Sequence, residues 1–228
     1  MESLKGRYEK IQKEIQEVVL REKRDPATVT LVAVSKTKPF SDIEALYRLG
    51  HRDFGENYPQ ELLEKATLAK ERGLTEIRWH FIGHLQTNKV KMILPFLHLL
   101  HSVDSERLAR EISKRAEKPV HCLLNINIDS EESKEGFQIS DFETAFKNIS
   151  TLQNLDIQGL MCIPDPNRKG QMSEAFRKLV TLGKSLFTSE KKPLFSMGMT
   201  ADFDQAIQEG SHFIRVGTAI FGERQYKI

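Results

Sequence analysis

The chain has 228 residues, of which 39% are hydrophobic and 29% are charged, a composition that is ordinary for a folded globular protein. Its 34 basic and 32 acidic residues give a formal net charge of +2 and are spread evenly along the sequence. This pattern lacks the basic face that nucleic-acid binding requires, so we expect no nucleic-acid partner.

The sequence also indicates a cellular compartment. No apolar run is long enough to span a bilayer, and the charged, helix-periodic N-terminus MESLKGRYEKIQKEIQEVV lacks the apolar core of a signal peptide. Cys122 and Cys162 each lie inside an apolar, strand-like run, which indicates buried free thiols rather than a disulfide or a metal site. We therefore expect a cytoplasmic protein without a membrane partner.

After an N-terminal helix over roughly residues 2–23, apolar strand-like runs alternate with amphipathic helical runs. The predicted strands are TLVAVSK (30–36), HRDFGEN (51–57), RWHFIGH (78–84), LLHSVDS (99–105), PVHCLLNINI (119–128), LDIQGLMCIP (155–164), PLFSMGM (193–199) and SHFIRVGTAIFG (211–222). Among the helices, SDIEALYRLG should open on a Ser41-Asp42 cap, and Pro59 suits the first turn of the next helix.

Strands joined by helices are typical of a parallel sheet with the helices outside. About eight such units in a chain of this size predict a single (β/α)8 TIM-type barrel domain over residues 1–228, in which the additional N-terminal helix fills the eighth helix position. The alternative is a doubly wound open sheet. That fold usually has a glycine-rich turn after its first strand, and SKTKPF contains no glycine.

Lys36 ends the first predicted strand and shares a face with Val32 and Val34, because side chains alternate along a strand. An amine beside an apolar wall has a lowered pKa and can attack a carbonyl group to form a Schiff base. The alternative is a lysine that simply reaches solvent where the strand ends. Lys38, which precedes Pro39, is expected to point into solvent.

Two glycine-containing loops, SMGMT and RVGT, follow the seventh and eighth predicted strands, where this fold has its standard phosphate site. Gly198 and Gly217 permit close approach of the backbone to a ligand. Hydroxyl donors come from Ser196, Thr200 and Thr218. These loops favour a bound phosphate group, although glycines are common at such turns.

Arg215 ends the eighth predicted strand and borders the first strand across the barrel closure, which places it near Lys36. It is either a cation aimed at a ligand or an arginine paired with a glutamate at the rim. Asp202 should cap the helix after SMGMT, with Gln205 three residues later. A lysine, phosphate-binding loops and an arginine at one opening describe a site for pyridoxal phosphate (PLP).

Other side chains carry weaker indications. The pairs His80/His84 and His98/His101 have spacings seen at metal sites, but the first pair falls on a strand and its loop, so we expect no metal. Lys134, in the charged loop SEESKEGF, is either solvated or meets an anion at the barrel opening.

Five motifs in order make the chain resemble the pyridoxal phosphate homeostasis protein family, whose barrel is similar to that of bacterial alanine racemase. They are AVSKTKP (33–39), FGENY (54–58), WHFIGHLQTNK (79–89), SMGMT (196–200) and RVGTAIFG (215–222). The resemblance implies a Schiff base between the cofactor and Lys36, Asn57 beside the ring, and Arg215 near the pyridine nitrogen. It implies a phosphate group held by Ser196, Gly198, Met199, Thr200, Gly217 and Thr218.

The resemblance further implies a monomeric protein that binds and delivers PLP in vitamin B6 homeostasis, with no established turnover and with PLP-dependent apo-enzymes as candidate recipients. The main alternative is an enzyme, either a PLP-dependent amino-acid racemase of the alanine racemase type or a Schiff-base aldolase without a cofactor. The racemase needs a tyrosine base from a further domain, which we expect this sequence to lack. A barrel scaffold for partner proteins is a third class.

Overall fold

Eight parallel strands close into a barrel in the computed structural model, which describes residues 2–130, 135–168, 171–188 and 190–223. The barrel strands are β1 (Thr30–Val34), β2 (Asp53–Glu56), β3 (Arg78–Phe81), β4 (Leu97–Val103), β5 (Val120–Asn127), β7 (Leu155–Met161), β8 (Leu194–Ser196) and β9 (Phe213–Val216). A two-residue strand, β6 (Phe137–Gln138), pairs with the end of β5. Because β4 pairs with β5 and β9 pairs back with β1, the ring is complete, and the predicted (β/α)8 barrel is confirmed.

Helices surround the strands. They are α1 (Leu4–Arg21), α2 (Phe40–Arg48), α3 (Pro59–Glu71), α4 (Val90–Ile93), α5 (Glu106–Arg115), α6 (Ile139–Ser150), α7 (Met172–Leu186), α8 (Phe203–Gln208) and α9 (Thr218–Phe221). Pro59 begins α3, as predicted. The expected Ser41-Asp42 cap on α2 is wrong. The extended φ of −67° and ψ of 152° at Pro39 let the helix begin at Phe40, one residue before Ser41.

The N-terminal helix α1 covers the junction at which the barrel closes. Its buried residues recur every three or four positions and form one apolar face, made of Tyr8, Ile11, Ile15, Val18 and Val19. This face packs against α2, α8 and α9. Since α9 has four residues, α1 supplies the helix that the last unit is too short to provide, as the sequence predicted.

The apolar core is divided into two parts by the barrel wall. Most buried apolar side chains lie between the strands and the helices. A smaller layer, centred on Leu99, Leu123 and Met161, fills part of the barrel interior. Buried polar side chains, among them His101, Ser196 and Arg215, also lie in the interior and lead to the site described below. No helix in the described part of the chain is long and apolar enough to cross a membrane.

Candidate functional site

Lys36 lies in the turn that follows β1, at the carboxyl end of the barrel, called here the mouth. It is partly buried, and it stands two residues beyond Val34, the last residue of the strand. The next residue, Thr37, has a φ of +61°, a left-handed conformation that is uncommon for a β-branched side chain. The chain therefore turns sharply at the predicted amine.

Lys38 does not point freely into solvent, so that expectation is wrong. Its Nζ donates to the carbonyl oxygens of Phe221, Gly222 and Glu223, at 3.2, 2.9 and 2.8 Å. The first of these carbonyl groups belongs to the last residue of α9, and the other two follow it directly. Lys38 thus ties the β1 turn to the end of the last helix.

Arg215 lies on β9 opposite Val32 of β1, which places it beside the strand that leads to Lys36. Its side chain is buried, with 4% of the residue exposed. The guanidinium donates to Ser196 Oγ at 2.5 Å and to the carbonyl oxygen of Cys162 at 3.0 Å. Burial lowers the pKa of Arg215, and no carboxylate forms an ion pair with it in the described part of the chain. The predicted proximity of Arg215 to the first strand is confirmed, whereas the alternative of a rim glutamate is not observed.

A chain of buried hydrogen bonds runs from Arg215 into the barrel. Ser196 Oγ lies 2.8 Å from His101 Nδ1, and His101 Nε2 lies 2.9 Å from His80 Nδ1. His80 Nε2 lies 3.0 Å from Asp53 Oδ1, and Arg78 donates to both oxygens of the same carboxylate. Ser196, His101 and His80 are fully buried. We call this set of residues the interior chain.

The proton positions in the interior chain follow from its two ends. Asp53 only accepts, so His80 carries its proton on Nε2 and accepts at Nδ1 from the Nε2–H of His101. His101 Nδ1 then accepts from the Ser196 hydroxyl, which itself accepts from Arg215. Burial lowers the pKa of both histidines, consistent with neutral rings. Burial alone would raise the pKa of Asp53, but hydrogen bonds from Arg78 and His80 hold it well below its usual range.

The interior chain was not expected from the sequence. The spacing of the histidines groups His80 with His84 and His98 with His101, whereas the structure pairs His80 with His101 across β3 and β4. His84 lies instead at the mouth, where its Nδ1 is 2.8 Å from Asp104 Oδ2 and 3.7 Å from Glu135 Oε2. The signal that could have found the chain is a polar residue at inward positions of neighbouring strands.

The loop after β8 holds three of the predicted phosphate ligands. Gly198 has a φ of +94°, and a Cβ there would lie 2.5 Å from Ala206 Cβ, so only glycine fits. The Met199 amide donates to Asp202 Oδ1 at 2.5 Å. Asp202 stands before α8, but the helix receives no side-chain cap, so the predicted capping role is wrong. Its carboxylate closes the loop instead, and Thr200 remains exposed.

The loop after β9 lies against the end of β1. A Cβ on Gly217 would lie 3.3 Å from the carbonyl oxygen of Val34, so the two chain segments approach closely. Thr218 begins α9 and is exposed. The structure thus brings Lys36, Arg215, Gly217 and Thr218 to one side of the mouth. The Ser196 hydroxyl lies deeper, between Arg215 and His101.

Asn57 lies directly after β2, the strand that pairs with β1, and it lines a cavity of about 270 Å³. Its position is set by Gly83, where a Cβ would lie 2.2 Å from the Asn57 carbonyl oxygen. Asn57 Oδ1 is buried and has no hydrogen-bond partner among the described residues. His84, Asp104 and Glu135 line the same cavity. Lys134, which was considered as an anion contact, lies outside the described residues.

Comparison with known proteins shows the family of this chain. Residues 9–225 match the family model of the alanine racemase N-terminal domain. The chain is 39% identical over 223 residues to the pyridoxal phosphate homeostasis protein of Haemophilus influenzae, an alignment that covers 95% of this chain and 94% of that protein. The chain belongs to the pyridoxal phosphate homeostasis protein family.

Two further similar proteins extend the comparison. The human pyridoxal phosphate homeostasis protein is 39% identical over 235 residues, which cover 95% of this chain and 85% of the human protein. The solved structure of PipY from Synechococcus elongatus with PLP bound is 31% identical, with a TM-score of 0.77, and covers 91% of this chain and 100% of its own. The resemblance stated from the five motifs is therefore confirmed.

Proposed function

We propose that this protein binds pyridoxal 5'-phosphate covalently through Lys36 and takes part in vitamin B6 homeostasis as a carrier of the cofactor. The observation that carries the proposal is the buried Arg215 guanidinium, which lacks a carboxylate partner in the described residues and lies on the strand beside the Lys36 turn. A buried cation without a counter-charge is costly unless a ligand completes its contacts. The PLP-bound structure of the relative PipY supports this choice of ligand.

The residues at the mouth fit this cofactor. PLP supplies an aldehyde that condenses with a primary amine to form a Schiff base. Lys36 is the amine at the mouth, and the orphaned Asn57 Oδ1, directly after the neighbouring strand β2, indicates a polar ligand there. Arginine has five N–H donors, of which two are used by Ser196 and Cys162, so Arg215 can also donate to the ring nitrogen.

The two glycine loops would hold the phosphate group. We assign this role to residues of the loops after β8 and β9, namely Ser196, Gly198, Met199, Thr200, Gly217 and Thr218. The hydroxyls of Thr200 and Thr218 are exposed and free to turn toward an anion. The hydroxyl of Ser196 is already engaged by Arg215 and His101, so this residue would contribute through its main chain and through its hold on Arg215.

Arg215 also explains why we favour a carrier over an enzyme. An arginine does not lose its proton in proteins, so it can only donate a hydrogen bond to the pyridine nitrogen of PLP. That nitrogen would then stay unprotonated, which would make the ring a weaker electron sink. A racemase further needs a second base. Tyr8 is buried against His51, and Tyr47 contacts Glu76. Tyr58 follows Asn57, and Tyr226 lies outside the described residues.

We also propose that the protein is a cytoplasmic monomer that passes PLP to PLP-dependent apo-enzymes. Both cysteines are buried and free, which suits a reducing compartment. The names of the relatives, which are called pyridoxal phosphate homeostasis proteins, support the homeostatic role.

The absorption spectrum tests the proposal. Protein mixed with PLP and freed of excess cofactor should show a visible band that disappears on borohydride reduction, and mass mapping should find the adduct on the peptide that contains Lys36. Lys36→Ala should lack both signals, while Lys91→Ala, a change at an exposed lysine of α4, should retain them. A wild-type protein without the band would contradict the proposal.

The same preparation distinguishes the enzymatic alternatives. Holo-protein incubated with one enantiomer of an amino acid in deuterated water should show no sustained exchange at Cα if the protein is a carrier. Sustained exchange would favour the racemase, and Lys36-dependent cleavage of an aldol without PLP would favour the aldolase.

A further inference from the structure

A second lysine lies behind the Lys36 turn. Lys65, on α3, is buried, and its Nζ lies 2.7 Å from Glu56 Oε1, 2.8 Å from the carbonyl oxygen of Ser35 and 2.9 Å from Glu61 Oε2. An ammonium group has three N–H donors, and each of them therefore has an acceptor. The side chain is fixed by these contacts and has no donor left for another role.

The acceptors around Lys65 belong to the chain on both sides of Lys36. Ser35, the preceding residue, is held by its carbonyl group and by its hydroxyl, which donates to Glu56 Oε1 at 2.6 Å. Thr37, the following residue, donates its amide to Glu61 Oε2 at 2.8 Å. One ammonium and two carboxylates thus connect both neighbours of the predicted amine. We call Lys65, Glu56 and Glu61 the turn clamp.

The conformation of Thr37 explains why this turn needs a clamp. A threonine at φ +61° is strained, and such residues persist only where their surroundings hold them. The bond from its amide to Glu61 is the side-chain contact that Thr37 itself makes with the clamp, in addition to the main-chain bond from Lys38 to Ser35 across the turn, and Lys65 in turn orients Glu61. Without the clamp, only the contacts of Lys38 restrain the turn on this side, and the backbone between Ser35 and Thr37 can relax and aim Lys36 elsewhere.

Stability alone is a weak reason for such a cluster. Glu56 is fully buried, burial raises the pKa of its carboxyl group, and its Oε2 has no partner among the described residues. Buried ion pairs gain little net stability, because desolvation offsets their attraction, and apolar replacements are often neutral or stabilising. The location of the cluster, around the turn that carries the amine, indicates its role better than its charge does.

We infer that Lys65 is a positioning residue for the cofactor site: together with Glu56 and Glu61, it holds the turn of residues 35–37 so that Lys36 faces the cofactor aldehyde. The inference rests on the proposed function. Lys65 itself touches no cofactor atom in this scheme, and its effect is exerted through Ser35 and Thr37.

The first test separates the covalent step from non-covalent binding. In Lys65→Met, covalent attachment of PLP at Lys36 should slow at least tenfold, while the affinity for pyridoxine 5'-phosphate, which has no aldehyde, should change less than threefold. Lys70→Met, on the exposed face of the same helix, should match wild type in both measurements. An attachment rate within twofold of wild type in Lys65→Met would overturn the inference.

A second pair of variants guards against misfolding of Lys65→Met. Glu61 is partly exposed, so Glu61→Ala should fold, and it should slow attachment at least threefold because the Thr37 amide loses its acceptor. Glu61→Gln retains an acceptor oxygen and should restore most of the rate. Equal rates in Glu61→Ala and wild type would count against the clamp.

The third measurement needs no cofactor. Competitive acetylation of the cofactor-free protein gives the reactivity of each lysine. In wild type, we expect the reactivity of Lys36 to differ at least threefold from that of Lys70. In Lys65→Met and Glu61→Ala, the reactivity of Lys36 should approach that of Lys70. An unchanged ratio in these variants would overturn the inference. If wild type takes up no PLP, the proposed function fails, but the acetylation ratios still decide the role of Lys65.

Discussion

Arg215 is held from two sides, and the two contacts have different consequences. The carbonyl group of Cys162 can only accept, so it fixes one guanidinium nitrogen but passes no hydrogen bond on to another residue. Ser196 accepts from Arg215 and donates to His101, so it extends the order imposed by Asp53 through two histidines to the mouth. The orientation of a mouth residue thus depends on a carboxylate at the other end of the barrel.

His101→Phe tests this dependence. The change leaves the O–H donor of Ser196 and the acceptor Nδ1 of His80 buried without partners, although Ser196 Oγ still accepts from Arg215, and each orphaned group costs about 1–3 kcal/mol. We expect the free energy of unfolding to fall by roughly 3 kcal/mol, and affinity for pyridoxine 5'-phosphate to fall as Arg215 loses its fixed position. Urea denaturation and fluorescence titration measure the two effects.

A double-mutant cycle provides the control for His101→Phe. His80→Phe and His101→Phe should be non-additive, because either change alone breaks the same hydrogen bond. Strict additivity of the two losses, or an unchanged ligand affinity in the folded His101→Phe protein, would contradict the view that the interior chain orients Arg215.

At the scale of elements, the loop between β8 and α8 depends on a glycine that faces a helix. Gly198 is left-handed, and a Cβ there would lie 2.5 Å from Ala206 Cβ and 3.1 Å from Phe203 Cα, both on α8. Neither atom is the end of a flexible side chain, so the helix would have to move. The loop carries the Met199 amide and Thr200, and its shape therefore governs the proposed phosphate site.

Gly198→Ala should therefore lower both stability and phosphate affinity. Gly210→Ala is the matched control, because Gly210 is also left-handed, with a φ of +104°, but no atom lies within 4 Å of its added Cβ. We expect about 1 kcal/mol of destabilisation for Gly210→Ala from backbone strain alone. Gly198→Ala should cost at least about 2 kcal/mol, since the clash adds to the strain, and should weaken pyridoxine 5'-phosphate binding at least tenfold. Equal effects of the two changes would contradict the argument.

The elements differ in how far the sequence predicts them. Strand positions were predictable because β-branched and apolar runs are separated by helical periods of ordinary length. The short strand β6 was missed because Phe137 and Gln138 are too few to show a period. The predicted mouth residues Lys36 and Arg215 come together because strand ends of a parallel barrel share one edge.

The inward polar residues of the interior chain leave a signal in the sequence, but the pairing of His80 with His101 was not predictable for a physical reason. His80 and His101 meet only because β3 and β4 pair with a register shift between Trp79 and His80. Such an irregularity depends on packing around the whole ring and leaves no mark in local periodicity. The turn clamp was missed likewise, because the sequence alone indicates a solvent-facing helix position for Lys65.

Across the whole molecule, burial of ionisable groups makes stability depend on pH. Burial lowers the pKa of His80 and His101, and it lowers those of His51 and His212 to about 4. A histidine with a lowered folded pKa contributes stability above its unfolded pKa of about 6.5 and loses it as pH falls. Glu56 acts in the opposite sense.

Burial raises the pKa of the Glu56 carboxyl group to about 7. The stability that Glu56 contributes is therefore present at a pH below its pKa in the unfolded chain, and it is lost as the pH rises through 7. Three buried histidines and the partly buried His212 oppose Glu56 over this range. We therefore expect the free energy of unfolding to fall as pH is lowered from 7 to 5, well before the strongly stabilised Asp53 carboxylate begins to take up a proton.

Two substitutions separate these contributions. His51→Phe removes one buried histidine. It should reduce the stability lost between pH 7 and pH 5 by about 2 kcal/mol. The contacts to Tyr8 and Asp53 that the variant also loses lower its stability equally at both pH values, so they do not affect this difference. Glu56→Gln removes the opposing group and should enlarge the same loss. Urea unfolding of the three cofactor-free proteins at each pH measures the differences directly. If the two substitutions shift the pH dependence in the same direction, the assignment of opposite signs to the buried histidines and Glu56 is wrong.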